Sequence, residues 1–203
     1  MTAPHPIDRR EAIRRVSARL GGIALSTSAG FLAACDRRAR TVAATAGVGT
    51  FTPADIAFLD EVAETILPAT GTPGAKAAKC GAFMALMITD SADEKDRQAF
   101  REGMRTLDAE CRTAHRVDFM AASAAQRKSL LESLDKAQKA AREAPGADQA
   151  PRHYFGRIKE LALVGYFTSE IGCTQALRYA ETPGRFDPCV PYAPGERAWA
   201  DHA

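Results

Sequence analysis

Five cysteines, four histidines and two glutamates beside an aromatic pair are the side chains with which this chain could do chemistry. With Cys35 set aside for the reason given below, Cys80, Cys111, Cys173 and Cys189 remain, and four thiols allow three pairings. An oxidising compartment favours at least one disulfide, and Cys173 with Cys189 is the pair that would tie the C-terminal segment to the helix before it. The alternatives are four buried thiols, or one thiol bonded to a partner subunit. The sequence contains no CxxCH haem attachment, no CxxC and no spacing suited to an iron–sulfur or structural zinc site. His5 and His202 sit near the two ends, while His115 and His153 have no His or Cys neighbour at ligand spacing, so no metal site is expected. Glu160 and Glu170 around Tyr166-Phe167 could in principle act as acid and base, although Glu160 sits among surface charges. There is no GxSxG, no phosphate loop and no GxGxxG after a strand. These residues amount to no sufficient active site.

Charge is unevenly distributed. The formal net charge is +2, but residues 1–34 hold five Arg against Asp8 and Glu11, which leaves the remainder near −1. Such a body lacks the clustered Lys and Arg that displace counterions from phosphates, so nucleic acid is excluded as a partner. The basic stretch 5–15 precedes a small, moderately apolar stretch 16–34, as in an export signal. Arg9-Arg10 is similar to a twin-arginine signal, the kind that exports folded proteins, although Ala12 stands where a bulky apolar residue is often found. The competing reading, an amphipathic cytosolic helix, is opposed by Gly21-Gly22 and Ser26-Thr27-Ser28. Leu32-Ala33-Ala34-Cys35 resembles a lipobox, with Cys35 as the acylated new N-terminus. Acyl chains at about 0.8 kcal/mol per buried methylene would then anchor the protein, and Asp36 is similar to an inner-membrane retention signal. Ordinary cleavage or an uncleaved anchor are the alternatives. The expected organisation is a signal peptide over 1–34, a tether over 35–50, a helical domain over 51–192 and a tail over 193–203.

The body that must position any function reads as all-α, with five to six helices and an irregular Pro/Gly-rich C-terminal segment. Thr52-Pro53-Ala54-Asp55 starts a helix whose face is Ile56, Leu59, Val62, Ala63 and Ile66, and Pro68 ends it. A second helix is expected over 75–90 on Ala77, Cys80, Phe83, Met84, Met87 and Ile88. A surface helix spans 93–115, with Phe100, Met104, Leu107 and Cys111 inward. Ser123 and Gln126 form a capping box that opens a helix carrying Leu130, Leu131, Leu134 and Ala137. Tyr154, Phe155, Ile158, Leu161, Ala162 and Gly165 mark the next helix, and Thr168 or Ser169 restarts a shorter one reaching Tyr179. The prolines and glycines from Pro183 to Gly195 predict a loop adhering to the helices. At 46% hydrophobic and 26% charged, the 203 residues suffice for one domain with a real core.

Four stretches go further than periodicity: Pro68-Ala69-Thr70-Gly71-Thr72-Pro73-Gly74-Ala75-Lys76-Ala77-Ala78, then Gly165-Tyr166-Phe167-Thr168-Ser169-Glu170-Ile171-Gly172, then Gln175-Ala176-Leu177-Arg178-Tyr179, and Pro183-Gly184-Arg185-Phe186-Asp187-Pro188-Cys189. Together they resemble the gluconate 2-dehydrogenase subunit 3 family across nearly all of residues 51–199. The resemblance implies a small accessory subunit of a periplasmic, inner-membrane-associated dehydrogenase. A large FAD-containing subunit would oxidise a sugar or sugar acid and pass electrons to a cytochrome c subunit carrying haem c, with no cofactor in this chain. The small subunit would support export and assembly of the flavin subunit. Tyr154, Phe155, Tyr166, Phe167, Tyr179, Arg185, Phe186 and Trp199 are then the candidate partner-facing anchors, because aromatics and Arg dominate interface energetics, with about half of them expected to be core instead. The competing functions are a stand-alone enzyme built around Glu170 and a lipoprotein interaction module without a redox partner.

Overall fold

The computed structural model describes residues 47–144, 146, 152–182, 184, 189, 191 and 193–200. Arg9, Arg10, Cys35, Arg185 and Phe186 lie outside the described residues, as does the whole expected leader. Within them the chain is all-α: α1 Pro53–Ile66, α2 Cys80–Ser91, α3 Glu94–His115, α4 Ala124–Glu143, α5 Tyr154–Phe167, and a π-helical turn Gly172–Ala176. Isolated bridges, Val48 with Phe51 and Arg178 with Trp199, are the β-type pairings among the described residues.

The entry to the fold is pinned before the first helix begins. Phe51 is buried, edge-on to Phe100 of α3 at 6.1 Å between ring centres, and the Arg101 guanidinium covers it at 4.5 Å. Thr52 Oγ1 then accepts the Asp55 N–H at 3.2 Å, and Asp55 Oδ2 accepts the Thr52 N–H at 2.8 Å, so two otherwise orphaned donors are satisfied reciprocally. The same device opens α4, where Ser123 and Gln126 cap one another, and Asp93 caps α3 through the Asp96 N–H.

Helix α2 starts five residues later than its apolar pattern suggests, and the reason is tertiary. The Glu64 carboxylate on α1 accepts the N–H of Ala69 (3.0 Å) and of Lys76 (2.8 Å), which holds residues 68–79 as turns, and Lys79 leaves them through a left-handed φ of 56°. Ala77, expected on the buried face, is exposed in this loop. Where α2 begins, Gly81 lies against α1 so closely that a Cβ would meet Ile56 O at 2.4 Å. Its N–H donates to Asp60 Oδ1 at 2.7 Å.

Helix α5 packs against all four of the other α-helices, which makes it the axis of the core. Phe155, Ile158, Leu161, Ala162, Gly165 and Tyr166 are buried along it. They meet Leu59 and Val62 of α1, Met84 and Ile88 of α2, Phe100 and Leu107 of α3, and Leu130 and Leu134 of α4 in one cluster. Each fully buried aliphatic or aromatic side chain of this kind stabilises the fold by about 1.5–3 kcal/mol relative to exposure. The buried face of α4 ends at Leu134; Ala137 is exposed, because the helix outruns the core for its last turns.

Candidate functional site

The sequence-predicted anchors separate at the end of α5. Phe155 and Tyr166, at 1% and 4% exposure, are core residues and present nothing to a partner. Tyr166 turns inward and donates its hydroxyl to Pro73 O at 2.7 Å, a second fastening of the 68–79 loop beside those from Glu64. Tyr154 is half-buried, donating to Glu110 Oε1 at 3.0 Å and stacked on His153 at 4.8 Å. Burial, with the Glu110 carboxylate beside it, pushes the Tyr154 phenol well above its ordinary value, so it stays protonated as a donor. Phe167, Tyr179 and Trp199, by contrast, are exposed. Of the six large hydrophobic side chains that are exposed among the described residues, four fall between positions 164 and 199: Val164, Phe167, Tyr179 and Trp199.

What sets them outward is local geometry. Helix α5 stops at Thr168, and Ser169 closes the stop, with its Oγ donating to Tyr166 O at 2.6 Å and accepting the Gly172 N–H at 3.0 Å. Ser169 therefore caps as its type suggests, but after Glu170 and Ile171 the helix widens into a π turn, closed by Leu177 N–H to Gly172 O at 2.9 Å. Gly172 makes the turn feasible, for a Cβ there would stand 1.9 Å from Tyr166 O. Residues 196–200 pair with Arg178 just beyond the π turn, while the Pro/Gly-rich stretch expected to adhere, Pro183 to Gly195, lies largely outside the described residues. Arg178 and Arg197, absent from the predicted anchors, do this fastening; no local pattern marks them, because their partners lie about twenty residues away in sequence.

The groups with chemical potential are placed as structural residues. Cys80 is buried and its thiol is pushed up to about 12, first by desolvation and then by Asp60 and Glu64, which makes it a poor nucleophile. Burial, then Asp108 and Asp118, raises Cys111 as well. The Cys173 thiol donates from Sγ to Phe167 O at 3.1 Å. Glu160 and Glu170 are both exposed, with Glu160 engaged by Arg157 at 3.4 Å, so neither is a desolvated carboxylate of the kind that acid–base catalysis exploits. His153 has a role that sequence reading missed: its Nδ1 accepts the Phe155 N–H at 3.3 Å as the N-cap of α5. Among the described residues no group of three His, Cys, Asp or Glu could hold a metal ion, and no helix is long and apolar enough to cross a membrane.

A protein-family model described as gluconate 2-dehydrogenase subunit 3 matches residues 53–184, which takes in all five α-helices and the π turn. No curated protein matches the chain. No solved structure matches it either. The matched span runs from the capped start of α1 through the exposed aromatic end of α5, and on that match the chain belongs to the gluconate 2-dehydrogenase subunit 3 family.

Proposed function

We propose that the chain is the small, non-catalytic subunit of a periplasmic flavoprotein dehydrogenase for gluconate or a related sugar acid. It would support export, assembly and membrane attachment of the large subunit that carries FAD, with a cytochrome c subunit supplying haem c. The observation that carries the reading is the family match over residues 53–184. Two features support it. Phe167, Tyr179 and Trp199 are exposed on an otherwise well-packed body, and aromatics are among the residue types that supply most of the energy at protein interfaces. Arg9-Arg10 ahead of a short apolar stretch, ending at Cys35, suits passage of an already folded complex followed by lipid anchoring.

On this reading, a flavin subunit without a leader crosses by holding on to this one. Co-expression with the flavin subunit is expected to give dye reduction by a sugar acid in the periplasm, while the purified chain alone gives none. Arg9→Lys together with Arg10→Lys is expected to leave both subunits in the cytoplasm. Turnover by the isolated chain would instead favour a stand-alone enzyme, and periplasmic activity persisting in the double variant would remove the escort role.

A further inference from the structure

Among the described residues, 196–200 lie along 174–178 through a small set of contacts. Arg178 N–H donates to Ala198 O at 2.8 Å and Ala200 N–H donates to Arg178 O at 2.7 Å, a parallel bridge one residue long. The Arg197 guanidinium donates to Thr174 O (3.2 Å) and Gln175 O (2.8 Å), carbonyls at the end of the π turn that no following helical turn takes up. From the other side, the Arg178 guanidinium sits 4.6 Å from the centre of the Trp199 ring and 3.6 Å from Glu196.

All of these are polar or cation–π contacts at the surface, and residues 193–199 are exposed throughout. None of residues 196–200 belongs to the hydrophobic core. With the strap in place, Arg178 Nε is buried without a hydrogen-bond partner among the described residues, which weakens this arrangement. Contacts of this number and exposure select one arrangement but do not join it to the cooperative unfolding of the core.

We infer that residues 196–200 form a releasable strap, which opens and closes on the π turn independently of the five helices, with Arg178 and Arg197 as its fasteners. In the closed state Trp199 is held over Arg178, next to Tyr179 in sequence. In the open state the Arg178 backbone edge, its guanidinium and the Thr174 and Gln175 carbonyls become available together, and Trp199 loses its fixed position. The surface at this end of the molecule is therefore conditional on the strap. The inference rests on contacts within the chain and stands whether or not the export role does.

Native-state hydrogen exchange on the full chain, at single-residue resolution, tests it. The amides of Arg178 and Ala200, the two donors of the bridge, are expected to exchange more than about tenfold faster than those of Ile158 and Leu161 in α5. Arg197→Ala is expected to speed the first pair by a further factor of roughly three to ten and to leave the second pair unchanged. Exchange of all four amides at one common rate would overturn the inference, as would an Arg197→Ala chain whose Arg178 and Ala200 amides behave as in the wild type. Should Arg197→Ala fail to fold, the wild-type comparison of the two pairs decides alone.

Discussion

The five-helix body and the segment after Thr168 are built on opposite plans. In the body, apolar side chains from every helix close around α5, and several carboxylates at its edge are paired: Glu61 binds both Lys76 and Arg127, Asp60 takes the Gly81 N–H, and Glu64 holds two loop amides. After Thr168 the described residues form a π turn, whose Ile171 and Ala176 still lean on the core, and a strap at 196–200 held by surface contacts, with Tyr179 and Trp199 exposed. On the function proposed above, the first region supplies stability and the second recognition. A core that is fully covered has no surface to spend on a partner, whereas exposed aromatics are tolerated where something else is to cover them.

The sharpest way to break that division is to weaken the body. Phe155→Ala removes a ring at 1% exposure from the helix that touches all others, and is expected to lower the stability of the whole domain by about 3–5 kcal/mol, read as a lower urea midpoint. A loss below about 1 kcal/mol would mean that α5 is not the axis. Gly172→Ala acts at the junction. The new methyl would sit against Tyr166 O, at a cost of roughly 1–3 kcal/mol. It is expected to loosen the Arg178 bridge, seen as faster amide exchange there, before it shifts thermal unfolding of the helices. A cooperative loss of the entire fold would instead join the two regions into one unit.

The smallest effect is one of pH, and it belongs to the body. Burial raises the Asp60 carboxyl above its ordinary 3.8, against the opposing pull of the Gly81 N–H and Lys76. Its folded-state value being the higher one, the stability it contributes is complete below the unfolded value and is lost as pH rises through the folded one. Asp60→Asn keeps an acceptor for Gly81 and removes the charge. Its stability relative to wild type is expected to improve as pH rises from roughly 4 to 7. Parallel pH profiles for the two chains would contradict this. Asp135, whose carboxyl Lys159 and Gln138 hold below its ordinary range, works in the opposite sense, losing its contribution as pH falls.

Sequence made the body legible because its information is local. Thr52 with Asp55, Ser123 with Gln126, and Asp93 announce three helix starts, and the four apolar positions of α3 are all buried. Where distant residues decide, sequence reading fails. The late start of α2 depends on Glu64, the π turn depends on the approach of Gly172 to Tyr166 O, and the strap depends on Arg197 reaching back to Thr174 and Gln175. The anchors fall between these cases. The stripe through Phe155, Ile158 and Ala162, continued one more turn, reaches Tyr166 and leaves Phe167 outside, so their separation was available from spacing. Nothing local marks Trp199 as the residue stacked on Arg178.

On the proposed function, this chain grips a partner through the end of α5 and the strap while its core only supports them. The most direct measurement is co-purification of the flavin subunit with a chain carrying Phe167→Ala, Tyr179→Ala and Trp199→Ala, set beside its thermal unfolding. The expected result is loss of most of the bound flavin subunit, with a melting temperature within a few degrees of wild type. Full retention of the partner by a normally folded triple variant would contradict the claim.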